Sequence, residues 1–130
     1  MKKVLAVDDQ PQIVRLIQVN LQKAAYEVIP AYDGEEALQK IREHRPDLVI
    51  LDVIMPKRDG FEVLRTIKAD PETARIPVIM LTVKAQDADI FEGLKEGAEL
   101  YLPKPFHPNE LVTLVRRVLE SPKEPVEDPA

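Results

Sequence analysis

Five short apolar runs limit what this chain can fold into: VLAV (4–7), VIPA (28–31), LVIL (48–51), VIML (78–81) and LYLP (100–103). Most are rich in Val, Ile and Leu, without polar alternation. That pattern suits strands covered on both faces, as in a parallel sheet. Runs of four are too short for buried helices. The segments between them are amphipathic. In PQIVRLIQVNLQKA, Ile13, Leu16, Ile17, Leu21 and Ala24 recur at helical spacing, with Pro11 in the first turn. DGEEALQKIREH opens on Asp33 as an N-cap with Glu36 three residues on, and DGFEVLRTIKAD repeats the device with Asp59 and Glu62. DADIFEGLKEGA is a weaker helix, with Gly93 inside it and Gly97 as a natural C-cap. PNELVTLVRRVLE is the last, with Pro108 in its first turn. Strand and helix thus alternate five times. The expected fold is α/β: a doubly wound (βα)5 arrangement, with a five-stranded parallel sheet, helices on both faces and right-handed crossovers.

A length of 130 residues fits one domain with a sizeable core. Residues 1–120 read as that domain, and the proline- and charge-rich SPKEPVEDPA (121–130) as a flexible tail or a cut linker. The chain has no cysteine, which excludes a disulfide framework and a zinc–thiolate site and fits a reducing cytoplasm. The N-terminal apolar run VLAV is too short for a signal peptide, and no apolar run reaches the length of a membrane span. A net charge of −5 disfavours direct nucleic-acid binding, because phosphate contacts need clustered Lys and Arg.

The informative residues are those just after the runs. Asp8 and Asp9 follow the first, Asp52 the third, Thr82 the fourth and Lys104 the fifth. In an open parallel sheet the carboxyl ends of the strands share one edge, where ligands bind. Three carboxylates brought together there would raise one another's pKa, and a hard divalent cation removes the conflict. Mg²⁺ takes oxygen ligands and commonly combines one or two carboxylates with phosphate oxygens. Lys104 and Thr82 suit a phosphoryl group beside such a metal better than the metal itself. The chemistry indicated is phosphoryl transfer with a carboxylate as nucleophile. Plainer readings exist for single residues: Asp8 and Asp9 as caps of the first helix, Thr82 as an ordinary strand residue, Tyr101 as core. Gly60 reads as part of a turn or helix start, and His44 and His107 as surface residues.

Taken together, VDD after the first strand, LDVIMPKRDG around the third, IMLT at the fourth and YLPKPF after the fifth resemble the receiver domain of two-component response regulators, over about residues 2–120. The resemblance implies a flavodoxin-like sheet of order 2-1-3-4-5. It implies Asp52 as phosphoacceptor, and Asp8, Asp9, Asp52 and the backbone carbonyl of Ile54 as Mg²⁺ ligands. Thr82 becomes the switch hydroxyl, Lys104 the phosphoryl clamp and Tyr101 the switch aromatic, with a cis Lys104–Pro105 bond. A histidine kinase or phosphotransfer protein would be the partner. A downstream effector, or a homodimer through the face of the fourth helix, fifth strand and fifth helix, would read the change.

Such a domain is a cytoplasmic signalling module and not an enzyme, beyond assisting its own phosphorylation and dephosphorylation. Three features depart from the commonest pattern. Val83 stands where a small residue is usual, His107 replaces Ser or Thr before the last helix, and Ile54 and Lys84 occupy positions where the family tunes dephosphorylation. A slow or altered loss of the phosphoryl group is therefore expected. Two other readings fare worse. A phosphatase of the haloacid-dehalogenase type needs a second Asp where Ile54 stands. A flavodoxin needs a hydroxyl- and glycine-rich phosphate loop where DDQPQ stands.

Overall fold

In a computed structural model of the chain, the structure describes residues 1–55, 59–82 and 97–120. The elements are β1 (Lys3–Val7), α1 (Pro11–Lys23), β2 (Glu27–Ala31), α2 (Gly34–His44), β3 (Leu48–Asp52), α3 (Gly60–Ala69), β4 (Val78–Thr82), β5 (Leu100–Pro103) and α4 (Pro108–Glu120). All five strands are parallel, in the order β2-β1-β3-β4-β5. The expected helix over DADIFEGLKEGA lies outside the described residues except for its end. There Gly97 adopts φ +110, the conformation that suits a C-cap glycine.

The unalternated strands are explained by their burial. Every residue of β3 and β4 is buried, because helices cover both faces of the sheet. One core layer joins Leu5, Val49, Leu51 and Met80 to Ala37, Leu38 and Ile41 of α2 and to Val63, Leu64 and Ile67 of α3. The other joins Val4, Ala6, Ile50 and Leu81 to Val14, Ile17 and Leu21 of α1 and to Leu111 and Val115 of α4. Each fully buried Val, Leu, Ile or Met side chain in these layers contributes about 1.5–3 kcal/mol.

The helix ends are held by local chemistry. Asp33 Oδ1 accepts from the N–H of Glu36, and Asp59 Oδ1 accepts from that of Glu62. The reciprocal bond of a capping box is shifted by one residue in α2: Glu36 Oε1 accepts from the N–H of Tyr32. His107 proves an adequate substitute for Ser or Thr. Its Nδ1 accepts from the N–H of Asn109, and its own N–H donates to Glu110 Oε1. After α1, the Tyr26 N–H donates to the Leu21 carbonyl and the Ala25 N–H to that of Gln22. This is the double bond pattern that normally ends on a left-handed glycine. Ala25 takes that position instead, with φ 72. Among the described residues, no helix is long and apolar enough to cross a membrane.

Candidate phosphoacceptor site

Parallel pairing carries separate parts of the sequence to one edge. Val7 of β1 is in register with Leu51 of β3, so the next residues along each strand are Asp8 and Asp52. On the other side Asp52 is in register with Leu81, and Thr82 with Pro103. The backbone N–H of Lys104 then donates to the Thr82 carbonyl at 2.7 Å. Period-two alternation sorts these residues by face. Asp8, Asp52 and Lys104 continue the series that line the α1/α4 layer. Thr82 continues the series of Val78 and Met80, and Tyr101 is half-buried against that same α2/α3 layer.

The charged residues form one cluster. Asp8 is fully buried, Asp52 is 4% exposed and Thr82 is 3% exposed. Asp9 stands exposed at the rim. Asp8, Asp9 and Asp52 each offer a carboxylate oxygen, and the three oxygens lie within 4.8 Å of one another. The Lys104 ammonium donates to Asp8 Oδ2 at 2.9 Å and lies 3.5 Å from Asp52 Oδ1. Asp8 Oδ1 accepts from the N–H of Gln10, so Asp8 also shapes the entry to α1, where the Gln10 side chain makes no cap. Asp8 thus braces the residue that leads into α1 through one oxygen and meets the Lys104 ammonium through the other.

Burial pushes the Asp52 carboxyl up from 3.8 to about 6; the Asp8 charge adds to this, and Lys104 opposes it. Among the described residues, the cluster holds more negative charge than one lysine balances. Three convergent carboxylates, two of them buried, make a donor set that fits a hard divalent cation.

Beside Asp52, Val53 and Met55 are buried while Ile54 is 65% exposed. Ile54 therefore presents an apolar side chain to solvent next to the carboxylate. The Lys104–Pro105 bond is cis. Val83 and Lys84 lie outside the described residues. His107 is exposed, whereas His44 is only half-buried, at the end of α2.

Sequence comparison decides the family. Residues 4–116 match the model of the response regulator receiver domain. The chain belongs to this family. It is 45% identical over 118 residues to the alkaline phosphatase synthesis transcriptional regulatory protein PhoP of Bacillus subtilis (strain 168), covering 91% of this chain and 48% of that protein. Among solved structures it is similar to the chemotaxis protein CheY4 of Vibrio cholerae (TM-score 0.87, 41% identity, 92% of this chain and 99% of that one). It is also similar to a putative response regulator from Chloroflexus aurantiacus (TM-score 0.87, 38% identity, 92% and 98%). The chain spans about half the length of the curated relatives it matches. As a receiver domain it belongs to phosphorelay signal transduction, in a flavodoxin-like fold.

One contribution to this site was missed in the sequence. Gly60 read as a turn residue, yet its N–H donates to the Val53 carbonyl at 2.8 Å, directly behind Asp52. Only the DG pair at the start of α3 hinted at it, and that pair is equally explained by the Asp59 cap.

Proposed function

We propose that Asp52 is the phosphoacceptor, and that Asp8, Asp9, Asp52 and the Ile54 carbonyl hold Mg²⁺. The observation that supports this best is the buried Asp52 carboxylate, with Asp8, Asp9 and Lys104 gathered round it. A carboxyl titrating at about 6 is mostly ionised at neutral pH and, being partly desolvated, is a competent nucleophile. One Asp52 oxygen attacks the phosphorus of a phosphohistidine on a histidine kinase or phosphotransfer protein. The P–N bond breaks, its electron pair stays on the imidazole, and an acyl phosphate forms on Asp52. Mg²⁺, when bound, would neutralise charge on the phosphoryl oxygens. Lys104 already lies beside Asp52 and would pair with the incoming oxygens.

The added charge then biases the Thr82 hydroxyl and the Tyr101 ring, which share the α2/α3 side of the sheet. Their movement would be read by a downstream effector, or by a second copy through the face that includes β5 and α4. The comparison with a transcriptional regulatory protein of twice the length supports an output domain as that effector. The domain itself would act as a signalling module in the cytoplasm, with no turnover of external substrate and no direct contact to nucleic acid. Residues 1–120 would form the receiver, and 121–130 a flexible tail or a linker.

The test is transfer from a phosphohistidine donor with and without a chelator. Transfer that requires Mg²⁺, and is restored by adding it back, is expected. Equal transfer in the presence of chelator would contradict the metal assignment.

A further inference from the structure

Gly60 is the first residue of α3 and is buried. Its N–H donates to the Val53 carbonyl, while the Val53 N–H donates to the Leu81 carbonyl of β4 at 2.9 Å. The Asp52–Val53 peptide is therefore held between β4 and the start of α3. A Cβ built on Gly60 would fall against the Asp52 carbonyl oxygen, 2.8 Å from Val53 Cα and 3.1 Å from the Asp52 carbonyl carbon. All three atoms are backbone, so no rotamer change relieves the collision. Gly60 is not needed for a left-handed φ, because its φ lies outside that region. It is needed for close approach.

We infer that Gly60 is a positioning residue for the site: its missing side chain lets α3 seat on the Asp52 backbone and fixes where the Asp52 carboxylate and the Ile54 peptide stand relative to Asp8 and Lys104. The stretch that starts at Asp52 carries both the carboxylate and the proposed metal carbonyl. Any side chain at residue 60 must move that stretch, α3, or both. Displacements of about 1 Å are enough to weaken a metal site or a nucleophile held by several partners.

This inference rests on Asp52 as phosphoacceptor, and the test separates the two. Gly60→Ala is compared with Ile67→Val, a change in a nearly fully buried α3 residue that loosens the core without touching the site. Mg²⁺ affinity is measured by calorimetry at a temperature where both variants are folded. Phosphorylation by a small phosphodonor is followed in parallel. Gly60→Ala is expected to lose about tenfold in Mg²⁺ affinity, as when a group supporting a metal ligand is removed. Ile67→Val should keep the wild-type value. Equal affinities for Gly60→Ala and wild type would overturn the inference.

Should Gly60→Ala fail to fold, it is placed in an Asp52→Asn background, which removes the carboxylate repulsion. There the metal-free amide signals of residues 8, 52 and 54 should move on adding Gly60→Ala. Changes confined to α3 would overturn the inference. A wild-type chain that is not phosphorylated at all would overturn the parent reading and leave this positional readout intact.

Discussion

The Lys104 ammonium lies 2.9 Å from Asp8 Oδ2, and the two side chains are 7% and 0% exposed. It is 3.5 Å from Asp52 Oδ1 as well, so one lysine serves two buried acids. Among the described residues, three carboxylates therefore share one ammonium. The site holds the ionised Asp52 carboxylate at a cost in stability, which a bound cation would offset.

That cost is measurable. Asp52 has its pKa raised from 3.8 to about 6, so the folded state binds the proton more tightly than the unfolded state does. Stability must then fall as pH rises through that window. A shift of that size corresponds to an upper bound of about 3 kcal/mol at pH 7. Asp52→Asn should therefore stabilise the metal-free protein at neutral pH. The advantage should shrink as pH drops through 6 and vanish below about 4, and Mg²⁺ should narrow the gap. Urea unfolding of both proteins across this range checks the slope; an advantage independent of pH would contradict it.

Lys104→Met should act in the opposite direction. Removing the ammonium leaves Asp8 and Asp52 buried without their shared partner, which costs about 3 kcal/mol. The loss should be greatest above pH 6, where Asp52 is ionised, and smaller in acid. Adding Asp52→Asn should recover part of it, so the two changes will not be additive. Additive effects in a double-mutant cycle would mean the contact carries little energy.

Ile54 leads to a kinetic prediction. Its side chain is 65% exposed beside Asp52, an apolar group where an attacking water would approach. Ile54→Glu should hold water there and shorten the phosphoryl lifetime by about tenfold, roughly 1.4 kcal/mol in the barrier. Decay of the phosphorylated protein followed by mass gives the rates; a longer lifetime in the variant would reverse the assignment.

The convergence of Asp8, Asp52 and Lys104 could be read from the sequence because each directly follows an apolar run, and parallel strands align their carboxyl ends. The caps at Asp33 and Asp59 were equally legible, since an Asp followed three residues on by Glu has one obvious use. Other features depended on packing that local pattern does not encode. Ala25 takes a left-handed conformation with no glycine to announce it. His107 caps α4 through a ring nitrogen, which residue preferences at that position do not anticipate. Gly60 matters because two elements touch there, and a turn glycine and a contact glycine look alike in sequence. The expected helix before Gly97, together with Val83 and Lys84, falls outside the described residues.

The central claim is that Asp52 accepts the phosphoryl group. Incubation with a small phosphodonor and Mg²⁺, with intact mass as the readout, tests it most directly. A single acid-stable, hydroxylamine-labile phosphoryl group is expected on the wild-type chain and none on Asp52→Asn. No gain in mass, or a gain that Asp52→Asn leaves unchanged, would contradict the account.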